Sequence, residues 1–505
     1  MFDLGTSFLA SVEKDPGALA VVDGDLHLTY AEWYRRISAL VAALDALGLR
    51  KGDRVLTLMQ NRWENASLHW ACQFAGLIVT PLNWRAKPDE VEYALSDAEA
   101  KAIFYEDVTK EAVDEAPSAA SRPRLSADDL ARAMEADAPD AAPRADASDW
   151  SLMLYTSGTT SRPKGVPRRH RAERAAAIAH VAQNLYRRGE RTLGVMPLYH
   201  TMGVRSLLAS SITTGAFVCL PKFDAERAID LIEREQITNL YLVPTLYHDI
   251  VHHPAFTPTR VKTVTKLGFA GAPMTDGLLK KLQRAFEPEL FVNHYGSSEI
   301  YTFAIDQNAA AKPGSAGRAA INQRIRVVKL NASSPDELAA PGEEGEIIAS
   351  LQGDEAFEGY WNRPDADAKA LRQGWYFTGD TGFFDADGDL FVTGRVDDMI
   401  ITGGENVSPV EVESCLSLHE QVAEVAVAGL PDERWGQVVV AFVKRRGNVS
   451  AEELDEFCRT SGLANFRRPR RYVFVEAIPK SPVGKILRRK LVACEYEEER
   501  PRETQ

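Results

Sequence analysis

The run from Tyr155 to Gly165, Tyr-Thr-Ser-Gly-Thr-Thr-Ser-Arg-Pro-Lys-Gly, has residue types suited to holding phosphate. It follows an apolar stretch, 152–155, that is typical of a buried strand. Backbone N–H groups and small hydroxyls after a strand can close around phosphate oxygens, and Lys164 adds positive charge. The spacing is not the GxxxxGKS or GxxxxGKT of a P-loop, and a solvated turn is the simpler alternative. We predict a phosphate-binding loop containing Thr156, Ser157, Gly158, Thr159, Thr160 and Lys164.

The segments around this loop predict strands alternating with helices. Thr29 and Glu32 form a capping-box pattern ahead of an amphipathic helix, and 64–76 predicts another helix. Apolar runs typical of buried strands occupy 55–59, 77–80, 193–196, 217–220, 240–243 and 266–270. Such alternation predicts an α/β fold with parallel sheets covered by helices.

The pattern changes twice towards the C-terminus. Short β runs with turn signals between about 317 and 394 predict a small β-rich subdomain. After Met399, two helix-like segments and a strand pair, 422–429 and 438–443, predict a small α+β domain of about a hundred residues. The Ala-, Asp- and Pro-rich stretch 111–149 predicts an irregular surface excursion with one short helix at 128–136.

Composition restricts the class of function. A formal charge of -13 argues against non-specific binding to nucleic acid or to an anionic membrane, so a polyanion site must be locally basic. The N-terminus lacks a basic n-region and no apolar run approaches ~20 residues, so we expect a cytoplasmic protein. The oligomeric state, monomer or homodimer, stays open. Scattered cysteines predict buried free thiols rather than a disulfide framework or a zinc site: Cys72, Cys219, Cys415, Cys458 and Cys494.

The 155–165 segment resembles the phosphate-binding loop of the acyl-adenylate-forming, or AMP-binding, superfamily. This family includes acyl-CoA synthetases, adenylation domains of nonribosomal peptide synthetases and firefly luciferase, and its usual loop is YTSGTTGxPKG. Ser161 replaces a typical glycine, and the other positions match. Further motifs follow in the family's order along nearly the whole chain. The resemblance implies ATP, Mg²⁺ and coenzyme A as ligands and a carboxylic acid as substrate.

The resemblance also assigns a nucleotide site. In the segment 293–299, Tyr295 would stack on adenine, Asn293 would bond its amino edge and Glu299 would hold magnesium. Asp380 would accept both ribose hydroxyls, and Arg395 would contact ribose and phosphate. The remaining implied positions are Gly271, Ala272, Pro273, His294, Gly296, Ser297 and Ser298.

The C-terminal motifs imply a catalytic lysine and a hinge. Lys485, in the 479–485 motif, would lie between the acyl carboxylate and the α-phosphate and reduce their repulsion. Asp397 would be the hinge between an N-terminal domain, 1–396, and a mobile C-terminal domain, 398–505. Coenzyme A contacts would come from Arg85, Gly403, Gly404, Glu405, Trp435, Phe466 and Arg468.

The acid is indicated less directly. The motifs MPLYH, FAGAPM and DERWGQ resemble the aryl-CoA ligase branch, in which His200 would gate the acyl pocket. The implied pocket mixes apolar bulk with few polar groups, which suits a compact aromatic or alicyclic ring. Arg205, if it faces inward, would favour a second carboxylate or another acceptor on the substrate. The implied pocket positions are His200, Thr201, Met202, Leu242, Ala272, Ile300 and Tyr301.

Other functions are compatible with parts of this pattern. Within enzymes, the alternatives are a CoA ligase for medium-chain fatty acids or dicarboxylates, and an adenylate-forming ligase with another acceptor. Outside enzymes, the alternative is an inactive nucleotide-binding relative. Such a relative would be expected to lose Lys485, Glu299 or Asp380, and all three are present.

Overall fold

The structure, a computed structural model, describes residues 1–156, 162–480 and 486–499, without the side chains of Asp397 and Asn406. Of the predicted site, Ser157, Gly158, Thr159, Thr160 and Lys485 lie outside the described residues.

Strands and helices alternate through the N-terminal part, as predicted. The strands are β1 (Leu19–Asp23), β2 (Leu26–Thr29), β3 (Arg54–Leu58), β4 (Ile78–Pro81), β5 (Ala102–Tyr105), β6 (Arg124–Ser126), β7 (Trp150–Thr156), β8 (Lys164–Arg169), β9 (Arg191–Gly194), β10 (Ala216–Cys219), β11 (Asn239–Leu242), β12 (Lys266–Phe269), β13 (Leu290–Tyr295), β14 (Ala304–Asp306), β15 (Ser315–Ala319), β16 (Ile325–Val328), β17 (Gly345–Ser350), β18 (Leu371–Arg372), β19 (Trp375–Phe384) and β20 (Leu390–Arg395). The helices are α1 (Leu4–Lys14), α2 (Tyr30–Ala46), α3 (Trp63–Ala75), α4 (Pro88–Asp97), α5 (Lys110–Asp114), α6 (Ala127–Ala133), α7 (His170–Gln183), α8 (Thr201–Ile212), α9 (Ala225–Arg234), α10 (Pro244–His252), α11 (Asp276–Phe286) and α12 (Pro364–Ala370), with 3-10 turns at Asp107–Thr109 and Pro117–Ser121.

Helix α2 shows how local sequence sets these elements. The Thr29 hydroxyl accepts a hydrogen bond from the Glu32 N–H at 3.3 Å, and the Glu32 carboxylate accepts one from the Thr29 N–H at 2.9 Å. This confirms the predicted capping box, which satisfies N–H groups that have no partner inside the helix. The apolar face of the helix buries Trp33, Ile37 and Leu40 in the core.

The two N-terminal sheets both have parallel centres. One has the strand order β6-β5-β3-β4-β7-β8, parallel except for the β7–β8 pair. In the larger sheet, β10, β9, β11, β12 and β13 are neighbours and run parallel. The antiparallel strands β14 and β15 then join it to the predicted β-rich subdomain, β16 to β20. The loops after β9, β12 and β13 therefore meet at one carboxyl edge, the usual ligand position in such sheets.

The 111–149 stretch is more ordered than predicted. Strand β6 pairs in parallel with β5, and Ala116 and Ala119 are buried under the α4 region. The Ala-rich composition suggested a loop, whereas the small side chains fill a tight layer between elements. Helix α6 begins after Ser126, whose hydroxyl accepts from the Asp129 N–H, and confirms the predicted short helix.

The C-terminal part has its own sheet and its own core. Its elements are a 3-10 turn (Val396–Asp398), β21 (Ile400–Thr402), β22 (Glu405–Val407), α13 (Pro409–Ser417), β23 (Val422–Asp432), β24 (Gly436–Arg445), α14 (Ala451–Thr460), β25 (Arg471–Phe474) and α15 (Arg488–Val492). Strands β23 and β24 pair antiparallel, which confirms the predicted strand pair. A separate apolar cluster that includes Val412, Val427 and Ala441 lies between this sheet and its helices. The domain boundary at Asp397 stays a prediction.

Two further sequence expectations concern membranes and thiols. Among the described helices, none is long and apolar enough to cross a bilayer. Cys72, Cys219 and Cys458 are buried free thiols, as predicted, whereas Cys415 is half-buried and Cys494 is exposed.

Candidate active site

A cleft of about 2080 Å³ lies along the carboxyl edge of the parallel strands. The loops after β9, β12 and β13 line it, together with Asp380 and Arg395 from the β-rich subdomain. Lys480, Ile486 and Arg488 line it from the C-terminal part. The cleft therefore brings together segments from distant parts of the sequence.

One end of the cleft carries the predicted adenine and ribose residues. The Tyr295 hydroxyl donates to the Asp380 carboxylate at 2.7 Å, and Phe303 packs edge-on against the Tyr295 ring with centroids 5.1 Å apart. Asp380 faces Arg395 across the β19–β20 register, and their side chains form a 3.1 Å ion pair. Nδ2 of Asn293 donates to the Ser315 carbonyl at 2.7 Å, which fixes the amide plane. Tyr295, Asp380 and Arg395 thus form one connected group, and Asn293, on the same strand as Tyr295, is oriented separately by Ser315.

The turn after β13 places Glu299 next to this group. Gly296 is required in the turn, because a Cβ there would overlap the carbonyl oxygen of Tyr301. The Ser297 hydroxyl accepts from the Glu299 N–H at 3.2 Å. Predicted residues Ser298, Gly271, Ala272 and Pro273 also line the cleft here. The turn thus holds backbone and hydroxyl groups close to the Glu299 carboxylate.

Glu299 is held by residues that have no recognisable motif. The Tyr360 hydroxyl donates to Oε1 of Glu299 at 2.7 Å, and Glu299 is only 6% exposed. The Lys164 ammonium lies 3.9 Å from the centroid of the Tyr360 ring. Burial lowers the pKa of Lys164, and the Glu299 charge partly opposes this shift. A half-buried cation and a buried carboxylate thus share one tyrosine at the predicted phosphate end.

A fully buried arginine supports the Glu299 turn from below. The Arg168 guanidinium pairs with Glu173 at 2.7 Å and donates to the carbonyls of Glu299, at 2.9 Å, and Glu355, at 2.7 Å. Its guanidinium carbon also lies 4.0 Å from the centroid of the Tyr301 ring. Sequence reasoning missed Arg168. The available signal was the Arg168-Arg169 pair at the end of β8, because successive side chains in a strand point to opposite faces and one of the two therefore faces the core.

The predicted acyl pocket lies at the other end of the cleft. His200 is the N-cap of α8, and its Nδ1 accepts from the Met202 N–H at 3.3 Å. His200, Thr201, Met202 and Tyr301 line the cleft. His294 points to the face of β13 opposite Asn293 and Tyr295, and it lines this deep end beside Tyr241, their ring centroids 4.9 Å apart.

Two predicted pocket positions lie elsewhere. Leu242 and Ile300 are fully buried and are absent from the described lining of the cleft. Leu242 belongs to the core between the large sheet and its helices, and Ile300 packs in the cluster that contains Phe303 and Phe357. In extended backbone, neighbouring side chains point to opposite sides. Leu242 and Ile300 were assigned to the pocket because they are next to pocket residues in the sequence, and they point into the core instead.

Most predicted coenzyme A contacts do not face the cleft in this structure. Gly403, Gly404, Glu405 and Trp435 are exposed and are absent from the described cleft lining, as are Phe466 and Arg468. Gly403 has φ of +60°, and a Cβ there would lie 2.7 Å from the Trp435 ring. Arg468 pairs with Asp455 at 2.8 Å. Arg85 does line the cleft, with its guanidinium 3.9 Å over the Trp84 ring.

The segment that follows Lys485 is fixed within the C-terminal part. Nη2 of Arg488 donates to both carboxylate oxygens of Glu413, at 2.6 and 2.8 Å, and Nε donates to the Val427 carbonyl at 3.0 Å. Asp398 lies 3.9 Å away, next to the predicted hinge. Burial raises the pKa of the Glu413 carboxyl, and Arg488 opposes that shift. The described arrangement therefore turns Lys480 and residues 486–488, rather than the 403–405 turn, towards the cleft.

Comparison with known proteins shows the family to which the chain belongs. A family model described as AMP-binding enzyme matches residues 8–361, and one described as AMP-binding enzyme C-terminal domain matches 411–485. A 4-chlorobenzoate–CoA ligase of an Arthrobacter species is 33% identical over 492 residues, 95% of this chain and 93% of that protein. A long-chain-fatty-acid–CoA ligase of Mycobacterium tuberculosis is 34% identical over 474 residues, 92% of each chain.

A solved structure extends the likeness to the fold. The o-succinylbenzoate CoA synthetase of Bacillus subtilis, in complex with its acyl-adenylate intermediate, superimposes with a TM-score of 0.85. It is 26% identical and covers 99% of both chains. The chain therefore belongs to the AMP-binding enzyme family. Its class is that of the AMP-forming acid–thiol ligases.

Proposed function

We propose that this ATP-dependent ligase forms an acyl-adenylate from an aromatic or alicyclic carboxylic acid and then transfers the acyl group to coenzyme A. The observation that carries the proposal is the connected group Tyr295, Asp380 and Arg395 next to Glu299 in one cleft. In the first step a carboxylate oxygen attacks the α-phosphorus and the bond to pyrophosphate breaks. In the second step the thiol sulfur attacks the acyl carbon, and AMP leaves.

The nucleotide would be oriented by side chains that are already fixed. Because Nδ2 of Asn293 donates to Ser315, its amide oxygen is left to accept from the adenine amino group. The Tyr295 ring offers a face to the base, while Asp380 accepts the ribose hydroxyls beside Arg395. Preorganised partners of this kind lower the entropic cost of binding.

Glu299 fits the magnesium ion that the family implies. Mg²⁺ prefers oxygen ligands and is held by one or two carboxylates together with substrate phosphates. Tyr360 restrains Oε1 of Glu299 in a buried position near Lys164. When bound, the ion would neutralise phosphate charge. Lys164 would add positive charge at the same end of the cleft, and its burial strengthens that charge's effect.

The second half of the proposal assigns the C-terminal residues. Lys485 would place its ammonium between the two reacting anions during adenylation, since its flanking residues Lys480 and Ile486 line the cleft. Rotation about Asp397 would then bring Gly403, Gly404 and Glu405 to the cleft as part of a pantetheine tunnel. Trp435, Phe466, Arg468 and Arg85 would contact coenzyme A in that second orientation.

The pocket behind His200 supports a ring as the acyl group. Thr201, Met202 and Tyr301 enclose it with apolar surface, so a rigid ring fills it without loss of internal rotation. A flexible chain would lose about 0.5 kcal/mol or more for each immobilised rotor. The relatives named above include both an aryl and a fatty-acid ligase, so chain acids are the competing substrates.

A panel of acids matched in carbon number tests the proposal. Benzoate, cyclohexanecarboxylate and heptanoate each have seven carbons, and acid-dependent pyrophosphate release with and without coenzyme A is measured for each. We expect the two ring acids to give higher kcat/KM than heptanoate, and Glu299→Gln to abolish turnover of all three. Higher kcat/KM for heptanoate, or for octanoate, would contradict the ring assignment. Release without any acyl-CoA product would contradict the thioester step.

A further inference from the structure

Arg205 brings a buried positive charge to the deep end of the acyl pocket. It lies four residues after Thr201 on α8, lines the cleft and is 2% exposed. Its Nη1 donates to the Thr302 hydroxyl at 2.6 Å, and its Nη2 donates to the Tyr241 hydroxyl. The Tyr301 carbonyl lies 3.5 Å from Nη1. Every one of these partners is a neutral oxygen.

The guanidinium of Arg205 lacks a counter-ion in the part of the chain that the structure describes. No carboxylate oxygen there lies within the 4.0 Å that defines an ion pair, and Nε has no hydrogen-bond partner. Arg168, equally buried, is paired with Glu173 at 2.7 Å. Burial raises the pKa of the Glu355 carboxyl and the Arg205 charge opposes that shift, but the two side chains form no ion pair among the described contacts. An unpaired buried charge is strongly destabilising, so a functional reason is needed.

A second unsatisfied polar group lies at the same end. His294 is 3% exposed and lines the cleft, and its Nδ1 has no hydrogen-bond partner among the described residues, while Nε2 lies 3.1 Å from the Asn184 amide oxygen. Burial and the Arg205 charge keep the pKa of His294 well below its usual value. His294 is therefore a neutral hydrogen-bonding group rather than a second cation. A buried polar atom without a partner calls for an explanation such as a bound water or a ligand, and here two such atoms belong to residues that line the same cleft.

We propose that Arg205 binds a second carboxylate on the acid, so that the substrate class is a ring dicarboxylic acid activated at its other carboxylate. This inference rests on the proposed acyl-CoA ligase function and narrows it. One carboxylate would react beside His200, and the other would accept from Nε of Arg205 at the deep end. Arginine is suited to this task because its planar donors match a carboxylate.

The test compares acids that differ in one charge. Wild-type enzyme is assayed for acid-dependent pyrophosphate release with terephthalate, isophthalate, benzoate and 4-carbamoylbenzoate, in which a neutral amide of nearly the same size replaces the second carboxylate. We expect at least one dicarboxylate to exceed both monocarboxylates in kcat/KM by roughly 10²-fold, as a buried charge pair allows. Arg205→Met should abolish that preference, and Arg205→Lys should retain part of it.

The design separates a binding role from a structural one. Arg205→Met removes a buried charge that has no ion-pair partner, at the cost of its hydrogen bonds to Thr302 and Tyr241, so its Tm should fall less than that of Arg168→Met, in which the Glu173 charge also loses its partner. A dicarboxylate should raise the Tm of the wild type and not that of Arg205→Met. Turnover of benzoate without a dicarboxylate preference, or an unchanged preference in Arg205→Met, would overturn this inference alone. Turnover of none of the acids would overturn the proposed function as well.

Discussion

The Tyr360 hydroxyl donates a 2.7 Å hydrogen bond to the Glu299 carboxylate while the Tyr360 ring carries the Lys164 ammonium at 3.9 Å. These residues are distant in the sequence, and Tyr360 belongs to no motif that predicted a site. The contact fixes the orientation of the carboxylate assigned to magnesium. It also couples that carboxylate to the cation at the phosphate end of the cleft.

The first prediction concerns this tyrosine. Tyr360→Phe keeps the ring under Lys164 and removes the hydrogen bond to Glu299. We expect kcat/KM for ATP to fall about tenfold and the magnesium concentration for half-maximal activity to rise, since hydrogen bonds to charged groups are worth about 1.5–3 kcal/mol. Pyrophosphate release measured across a magnesium series tests this. Tyr376→Phe, whose hydroxyl lies 3.5 Å from that of Tyr360, is the matched control and should have the smaller effect. Equal effects would argue against the positioning role.

The second prediction assigns Lys485 to one half-reaction. Lys485→Ala should suppress adenylation by 100-fold or more, because charge-stabilising groups supply roughly 3 kcal/mol in such transition states. Attack of coenzyme A on a supplied acyl-adenylate should be affected much less. Lys490→Ala is the control, because that side chain is partly exposed and its nearest carboxylate, Glu495, is 3.6 Å away. Equal losses in both half-reactions of Lys485→Ala would remove the assignment.

The residues proposed to bind the nucleotide could be located from the sequence because they lie inside short motifs. Asn293, Tyr295 and Glu299 are set by one strand and one turn, and the strand itself is visible as an apolar run. The Thr29 capping box was similarly local. The positions of such side chains are set by residues close to them in the sequence, so a local pattern is enough to predict them.

The buried charges could not be predicted in this way. Arg168 contacts the carbonyl of Glu355, 187 residues away, and Arg205 contacts Thr302, 97 residues away. Pairing over such separations is decided by sheet order rather than by local pattern. Ile300 was misplaced for a related reason, since the turn after β13 directs it into a core while Tyr301 lines the cleft.

The third prediction concerns the hinge. The 3-10 turn Val396–Asp398 links β20 to the C-terminal part, and the Met399 N–H donates to the Arg395 carbonyl at 3.0 Å. Asp397→Pro fixes φ near -65° and should block rotation about this turn. We expect adenylation to survive and thioester formation to fail in single-turnover assays. Asp397→Ala serves as the control, which should permit both steps. Intact thioester formation in the proline variant would show that the hinge lies elsewhere.

The fourth prediction concerns acid stability. Burial lowers the pKa of His69 to about 3 and that of His170 to about 4, and both are therefore neutral in the folded protein. As the pH falls below about 6.5, the unfolded chain takes up these protons and the folded chain does not, so stability is lost. By pH 5, each histidine should lower the free energy of unfolding by about 2 kcal/mol. Stability is greatest above pH 6.5 as far as these groups are concerned.

Urea denaturation at several pH values between 7 and 5 measures the slope of the unfolding free energy against pH. His69→Gln should make the midpoint less dependent on pH than in the wild type, whatever its effect at pH 7. His27→Gln is the control, because it makes the same substitution at an exposed histidine outside the core. An unchanged slope in His69→Gln would show that His69 is not neutral in the folded state.

The contacts of Arg488 determine how a reactive intermediate is protected. Glu413 and Val427 bind Arg488 to α13 and β23, so the base of the Lys485 segment is part of the C-terminal core. Arg488 therefore moves together with α13 and β23, and in the proposed mechanism Lys485 would leave the cleft only when the C-terminal domain turns. The rate of acyl-adenylate hydrolysis should therefore fall as the lifetime of the closed domain orientation rises. If the Arg488–Glu413 pair is weakened, water should reach the acyl-adenylate even while the domain is closed, and hydrolysis of the acyl-adenylate should no longer depend on domain opening.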